Sequence, residues 1–362
     1  MSATTTARPP VPTRRRTTLA LGPVGLALPR RVWVTSLAVI GVLVAATVAA
    51  LFLGTLAFGA DRVAATLLGT GTRIEQLVIV EGRLVRAVGA LLVGFGLGMS
   101  GALTQSITRN PIASPDILGV TAGASAVAVY FVTSPDTGLG PSDASATSIL
   151  TPAALLGGLL TTALILALAW RGGFDGMRLV LVGLGVNAVA LAAISWMMTR
   201  ATTDGAAVAA RWLSGSVAGM KAEDLALVAP VVLAGTVACL ALGRSVASLR
   251  VGRDVAASLG VRTGRTELAA LGVAVVAASV VTAVAGPIGF VAFVAPQAAL
   301  RLFRTAGPSP FAAGLVGAAM LLLSDLVAQH LLFPLPVGVV TSVVGAPCLL
   351  LLIVTHLRRS SV

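Results

Sequence analysis

A polar break between two apolar stretches constrains this chain most. Within Ser100 to Gly123, SGALTQSITRNPIASPDILGVTAG, the step Arg109-Asn110-Pro111 separates two runs that are each apolar enough to cross a bilayer. An Asn-Pro step disfavours helix and a guanidinium at the bilayer centre is costly, so this step has to leave the hydrocarbon. Directly after it, Ser114-Pro115-Asp116 reads as an N-cap, a first-turn proline and an acid that compensates the helix dipole. One helix is therefore expected to end before Arg109 and another to start at Ser114.

Hydrophobic residues make up 57% of the chain and charged residues 10%, where soluble domains carry about 25% charged residues. That balance predicts an all-α integral membrane protein. Runs of about 20 apolar residues, enough to cross roughly 30 Å of hydrocarbon, fall near 33–58, 84–106, 114–133, 149–170, 178–199, 224–243, 267–285, 288–303, 309–332 and 336–357, which makes about ten transmembrane helices. The eighth is short and contains Pro296, and Gly286-Pro287 marks a break before it. The expected organisation is a disordered basic tail over 1–31, one membrane domain over 32–357 with its largest loop at 244–266, and a short C-terminus at 358–362.

Charge orients the spans. With the N-terminus in the cytoplasm, 18 of the 25 lysines and arginines fall inside, among them Arg109, Arg171, Arg178, Arg244, Arg250, Arg253, Arg262, Arg265, Arg301 and Arg304. Arg62, Arg73, Arg83, Arg86, Arg200, Arg211 and Lys221 fall outside. The bias follows the positive-inside rule and places both termini in the cytoplasm. It also accounts for the net charge of +12 without nucleic acid, because the arginines occupy short loops and form no soluble basic face. The apolar run from Val32 is, at about 25 residues, too long for a signal peptide's core, so Arg14-Arg15-Arg16 is read as part of a retained tail and not as an export signal.

Several chemistries are disfavoured. Lys221, the only lysine, sits between Met220 and Ala222, so no Gly-Lys-Ser/Thr phosphate loop exists and the chain is not expected to hydrolyse ATP. Gly94 to Gly101 contains a formal GxGxxG, but no strand precedes it; its small residues are those that let helices approach closely. Cys239 and Cys348 are isolated, and His330 and His356 fall near opposite faces, so neither a metal site nor a bis-histidine haem is built. Any iron that passes through is expected to arrive wrapped in a chelator.

The Ser100–Gly123 string, Gly286-Pro287-Ile288-Gly289-Phe290, Val294-Ala295-Pro296-Gln297 and the run from Leu335-Pro336-Val337-Gly338 to Gly345-Ala346-Pro347 resemble the iron-chelate and vitamin B12 permease family, the membrane subunits of bacterial importers powered by ATP-binding cassettes. The likeness spans roughly residues 35 to 357, nearly the whole chain. It implies the fold of a type II importer permease in the cytoplasmic membrane, surrounded by lipid. It further implies two copies of a separate ATPase that holds ATP and magnesium, a solute-binding protein outside, and a dimer with a homologous permease or with itself. Ser114-Pro115-Asp116, the Phe174–Arg178 loop and Ala328-Gln329-His330-Leu331-Leu332 look most like the second permease subunit of ferric-enterobactin-type systems. That favours a heterodimer and a ferric siderophore as cargo, with vitamin B12 or haem as the alternative.

Site residues follow from the same resemblance. A short helix over Asp254–Val261, stopped by glycine, matches the family's ATPase-coupling element, at Asp254, Ala257, Leu259 and Gly260. Arg83-Leu84-Val85-Arg86 matches an Arg-Leu-Pro-Arg motif whose arginines dock the binding protein, with Val85 in place of proline. Some relatives carry a further arginine where this chain has Gln329-His330. Ser100, Gln105, Asn110, Asn187, Gly286 and Pro287 are candidates for the translocation path or for helix packing. Asp325, an acid within an apolar stretch, reads either as a buried hydrogen-bonding group or as the proton site of an ion-coupled secondary transporter.

Overall fold

The computed structural model of the protein describes residues 16–21, 24–54, 56–134, 144–170, 175–330 and 335–360. Expectations for Arg8, Arg14, Arg15, Arg171, Phe174, Leu331 and Leu332 lie outside them. The helices are α1 (Arg30–Phe52), α2 (Ala60–Leu67), α3 (Arg73–Glu75), α4 (Val85–Thr108), α5 (Val120–Thr133), α6 (Ala144–Ala169), α7 (Gly176–Arg200), α8 (Thr203–Leu213), α9 (Ala222–Val251), α10 (Arg253–Ser258), α11 (Thr263–Ala285), α12 (Val291–Phe303), α13 (Pro310–His330) and α14 (Val337–Ser360). Each expected span corresponds to one of them. Among the described residues, six helices are long and apolar enough to cross a membrane, within α1, α6, α7, α9, α11 and α13.

α4 is the centre. Its residues from Gly96 to Ile107 are all buried, and its glycines face different neighbours. A Cβ at Gly94 would lie 2.4 Å from the Gly317 carbonyl of α13, one at Gly98 2.2 Å from that of Ala313, and one at Gly101 1.7 Å from that of Ala292 on α12. Only residues without side chains allow backbones this close. Polar groups tie the same helices: Ser100 Oγ donates to Ala274 O of α11 at 2.6 Å, and Gln105 Nε2 donates to Phe293 O of α12 at 3.1 Å. Gln297 in turn donates to Gln105 Oε1 at 2.7 Å. Phe95 packs edge-on against Phe311 of α13.

Several boundaries differ from the sequence expectation. The second span does not begin at residue 84, because α3, a π-helical segment Gln76–Leu84 and α4 follow one another directly. Thr72 starts this rod with a capping box to Glu75. The span expected over 288–303 shrinks to α12, whose 13 residues cover about 20 Å at 1.5 Å per residue and cannot cross the hydrocarbon. Gly286 at φ 71° and Phe290 at φ 66° hold the intervening chain out of helix. Its backbone is satisfied within the protein, with Ser216 N donating to Ala285 O at 2.7 Å and Val291 N to Gly289 O at 2.9 Å, the condition for irregular backbone at membrane depth.

Ser114 is extended as an N-cap should be, and Pro115 opens a 3-10 turn, Pro115–Leu118. The helix expected from Ser114 is interrupted there, since Gly119 turns left-handed against Thr161 and Ile165 of α6 before α5 starts. α9 continues to Val251, which shortens the loop expected over 244–266. In the tail expected to be disordered, Arg16–Leu21 and Val24–Pro29 pair as an antiparallel hairpin. The short helices α2 and α8 were not anticipated.

Candidate functional site

Two concave regions lie at opposite ends of α4. At the end bearing Arg109, a cavity of about 390 Å³ opens between the Asn-Pro turn, the start of α7, Arg253 and Glu267. Arg109 ends α4 in the left-handed conformation at φ 50°. Asn110 Oδ1 accepts from Ile112 N at 2.9 Å and fixes the turn. Beside it, α10 stands on the surface with Ala256 buried, while Asp254, Ala257 and Gly260 are exposed. Val255 on α10 and Leu259 just past its end are 45% and 68% exposed, and Val251, 73% exposed, ends α9 on the other side of the break at Gly252. Gly260, at φ 80°, stops the helix with its N–H on Ala257 O and that of Val261 on Ala256 O.

At the opposite end, a cavity of about 1010 Å³ is lined by Arg83, Arg86, Arg211, Asp224, Gly286, Gln329 and His330 among others. Arg83 donates to Leu51 O at 2.7 Å and to Leu56 O, with its guanidinium 5.5 Å from the Phe58 ring centre. It closes the exit of α1. Arg86 and Asp325 face each other in a fork: Nη2 to Oδ1 at 2.8 Å and Nε to Oδ2 at 2.9 Å. Gln329 Nε2 donates to the same Oδ2 at 2.8 Å. Asp325 is 1% exposed. The acid that proton coupling would require is thus held by a guanidinium and an amide, and the bidentate geometry is the strong form of such a pair.

A profile of the FecCD transport family matches residues 42–355. The chain belongs to that family. It is 38% identical over 333 residues to the ferric enterobactin transport system permease protein FepG of Escherichia coli, covering 91% of this chain and 98% of the relative. The iron(3+)-hydroxamate import system permease protein FhuG of Bacillus subtilis is 34% identical, over 77% of this chain and 84% of its own. A solved chain described as a metal-chelate-type ABC transporter in an inward-facing conformation superposes with a TM-score of 0.75 at 25% identity, over 89% of this chain and 99% of that one. This FecCD chain is a permease subunit of an ABC importer.

Within this FecCD permease the sequence-predicted residues separate into groups. Asp254 and Ala257 lie on α10 with Leu259 and Gly260 in the turn that ends it, and Arg86 meets Asp325, although the sequence suggested unrelated roles for those two. Ser100 and Gln105 are buried in contacts between helices of the same chain. Gly286 and Pro287 form the break before α12, where a Cβ on Gly286 would lie 2.5 Å from Trp212 O. Asn187 is half-buried on α7 and has no hydrogen-bond partner among the described residues. Sequence reasoning passed over Glu267, which is 2% exposed and pairs with Arg253 at 3.2 Å. An acid at the edge of an apolar run, beside an arginine-rich loop, was the available signal.

Proposed function

We propose that the chain imports a ferric siderophore across the cytoplasmic membrane, with both termini in the cytoplasm, as one of two homologous permeases that share a path between them. The observation that carries this reading is α10: a short helix outside the bundle whose exposed Asp254 and Val255, with Leu259 at its end, offer a docking surface to an ATPase. That ATPase, present in two copies, holds ATP and magnesium and supplies the energy. Binding ATP and then ADP alters its affinity for the two conformations of the permease pair, which is what a driven cycle requires. A solute-binding protein delivers the chelate to the other face, where Arg83, Arg86 and Arg211 line the large cavity.

Asn187 and the exposure of α7 support the dimer. Leu181, Leu184, Val189 and Trp196 are each more than half exposed, and an unpartnered amide among them is poorly served by lipid. A second permease satisfies it. The heterodimer and the catecholate class follow from the likeness to the enterobactin permease.

Uptake decides the cargo. In a strain lacking this chain, radio-iron supplied as ferric enterobactin should no longer enter, while ferrichrome, cobalamin and haem enter normally, and complementation should restore entry. Unchanged enterobactin uptake in a strain with no redundant system would remove that cargo. Loss of cobalamin uptake alone would reassign it.

A further inference from the structure

We propose that Glu267 and Arg253 form a latch that makes the coupling helix α10 and the membrane helix α11 move as one body, so that Glu267 is a positioning residue for the coupling of ATP hydrolysis to transport. The inference deepens the importer reading and rests on it.

Arg253 is the first residue of α10 and Glu267 lies in the second turn of α11. Arg253 Nε meets Glu267 Oε1 at 3.2 Å, with side-chain exposures of 37% and 2%. A carboxylate this buried is costly unless it is paired, so the contact is held more firmly than a surface ion pair. The other oxygen, Oε2, is buried without a hydrogen-bond partner, and Glu267 borders the cavity that also takes in Arg109 and Asn110. Arg109 is the second positive charge acting on it. One carboxylate thus sits where the coupling helix, the Asn-Pro turn ending α4 and the base of α11 converge.

The end of α9 that leads into α10 is tethered as well. Arg250, at the end of α9, donates Nη2 to Pro308 O in the turn between α12 and α13, and its side chain fills the space beside Gly307. That second tether reaches backbone and not a charge. The Glu267 latch is therefore the one that a change of charge can release without altering shape.

The test uses the full importer in liposomes, with its cognate ATPase, partner permease and binding protein, and ferric enterobactin as the probe. Glu267→Gln should leave assembly and basal ATP hydrolysis in place while iron delivered per ATP falls by about three- to tenfold, within the roughly two- to thirtyfold span of such coupling changes. Arg253→Gln should give the same loss, the double variant should be no worse than either, and Arg253→Glu with Glu267→Arg should recover part of it. A purely structural role would instead reduce assembly and leave the ratio unchanged.

Nitroxides on Ser258 and Leu268 give a readout that needs no cargo. Their separation should stay constant through ATP binding in the wild type and change in Glu267→Gln. Equal iron per ATP in the wild type and both variants, or equal label distances, overturns the latch. If Glu267→Gln does not assemble, Arg253→Gln at the more exposed partner decides. If the wild type shows no ATP-driven entry of the probe, the cargo reading fails, and the label distances alone decide the latch.

Discussion

Arg86 and Asp325 stand 239 positions apart and neither announces the other. The sequence made each visible as an unusual charge, one at a span's edge and one inside a span, but only the packing of α4 against α13 joins them. The pair should matter to stability before it matters to partners. Arg86→Met leaves the Asp325 carboxylate buried with Gln329 alone, which should cost about 3 kcal/mol, whereas Arg86→Met with Asp325→Leu should recover most of that because no charge is stranded. Thermal unfolding in detergent reads both. A single variant as stable as the wild type would mean that Arg86 is free for the binding protein. Arg83 is already engaged by the Leu51 and Leu56 carbonyls, so docking there competes with the closing of α1.

Elements were legible where apolar length defines them and obscure where the backbone leaves helix. The small-residue run in α4 pointed to close packing, and the glycines do touch carbonyls of α12 and α13. Gly101→Ala should therefore prevent stable folding, since its Cβ has no position clear of Ala292, while Gly185→Ala, with nothing within 4 Å, should be tolerated or slightly stabilising as glycine leaves a helix. Monodispersity and melting temperature in detergent distinguish the two. The extent of α12 could not be read off, because 288–296 is apolar throughout whether or not it is helical. What shortens it is Gly286 against Trp212 and Gly215, a contact between distant segments. The continuation of α9 through Arg244 to Val251 was hidden for a related reason: charges end a membrane span without ending a helix.

On the scale of the whole molecule, α7 and α14 expose much apolar surface, with Val189 at 70% and Val343 at 68%. A cysteine at Val189, in a background where Cys348 is replaced by serine, should form a disulfide-trapped adduct with a cysteine on the homologous permease and not with a second copy of itself; the mass of the adduct on a non-reducing gel decides between hetero- and homodimer. A short helix after Gly252 and a helix in each of the ten apolar runs could be found from one sequence, whereas a surface offered to another chain could not, because lipid and protein both accept leucine and valine. α4 has one further consequence. With Gly94, Gly98 and Gly101 pressed on neighbouring backbones, α4 meets α12 and α13 with no room for a chelate between them. On the proposed pairing each subunit is half of a wall, and inheritance should show it: a copy that folds and pairs but cannot move should poison its partner, so that expressing it beside the normal gene lowers iron acquisition in proportion to its dose.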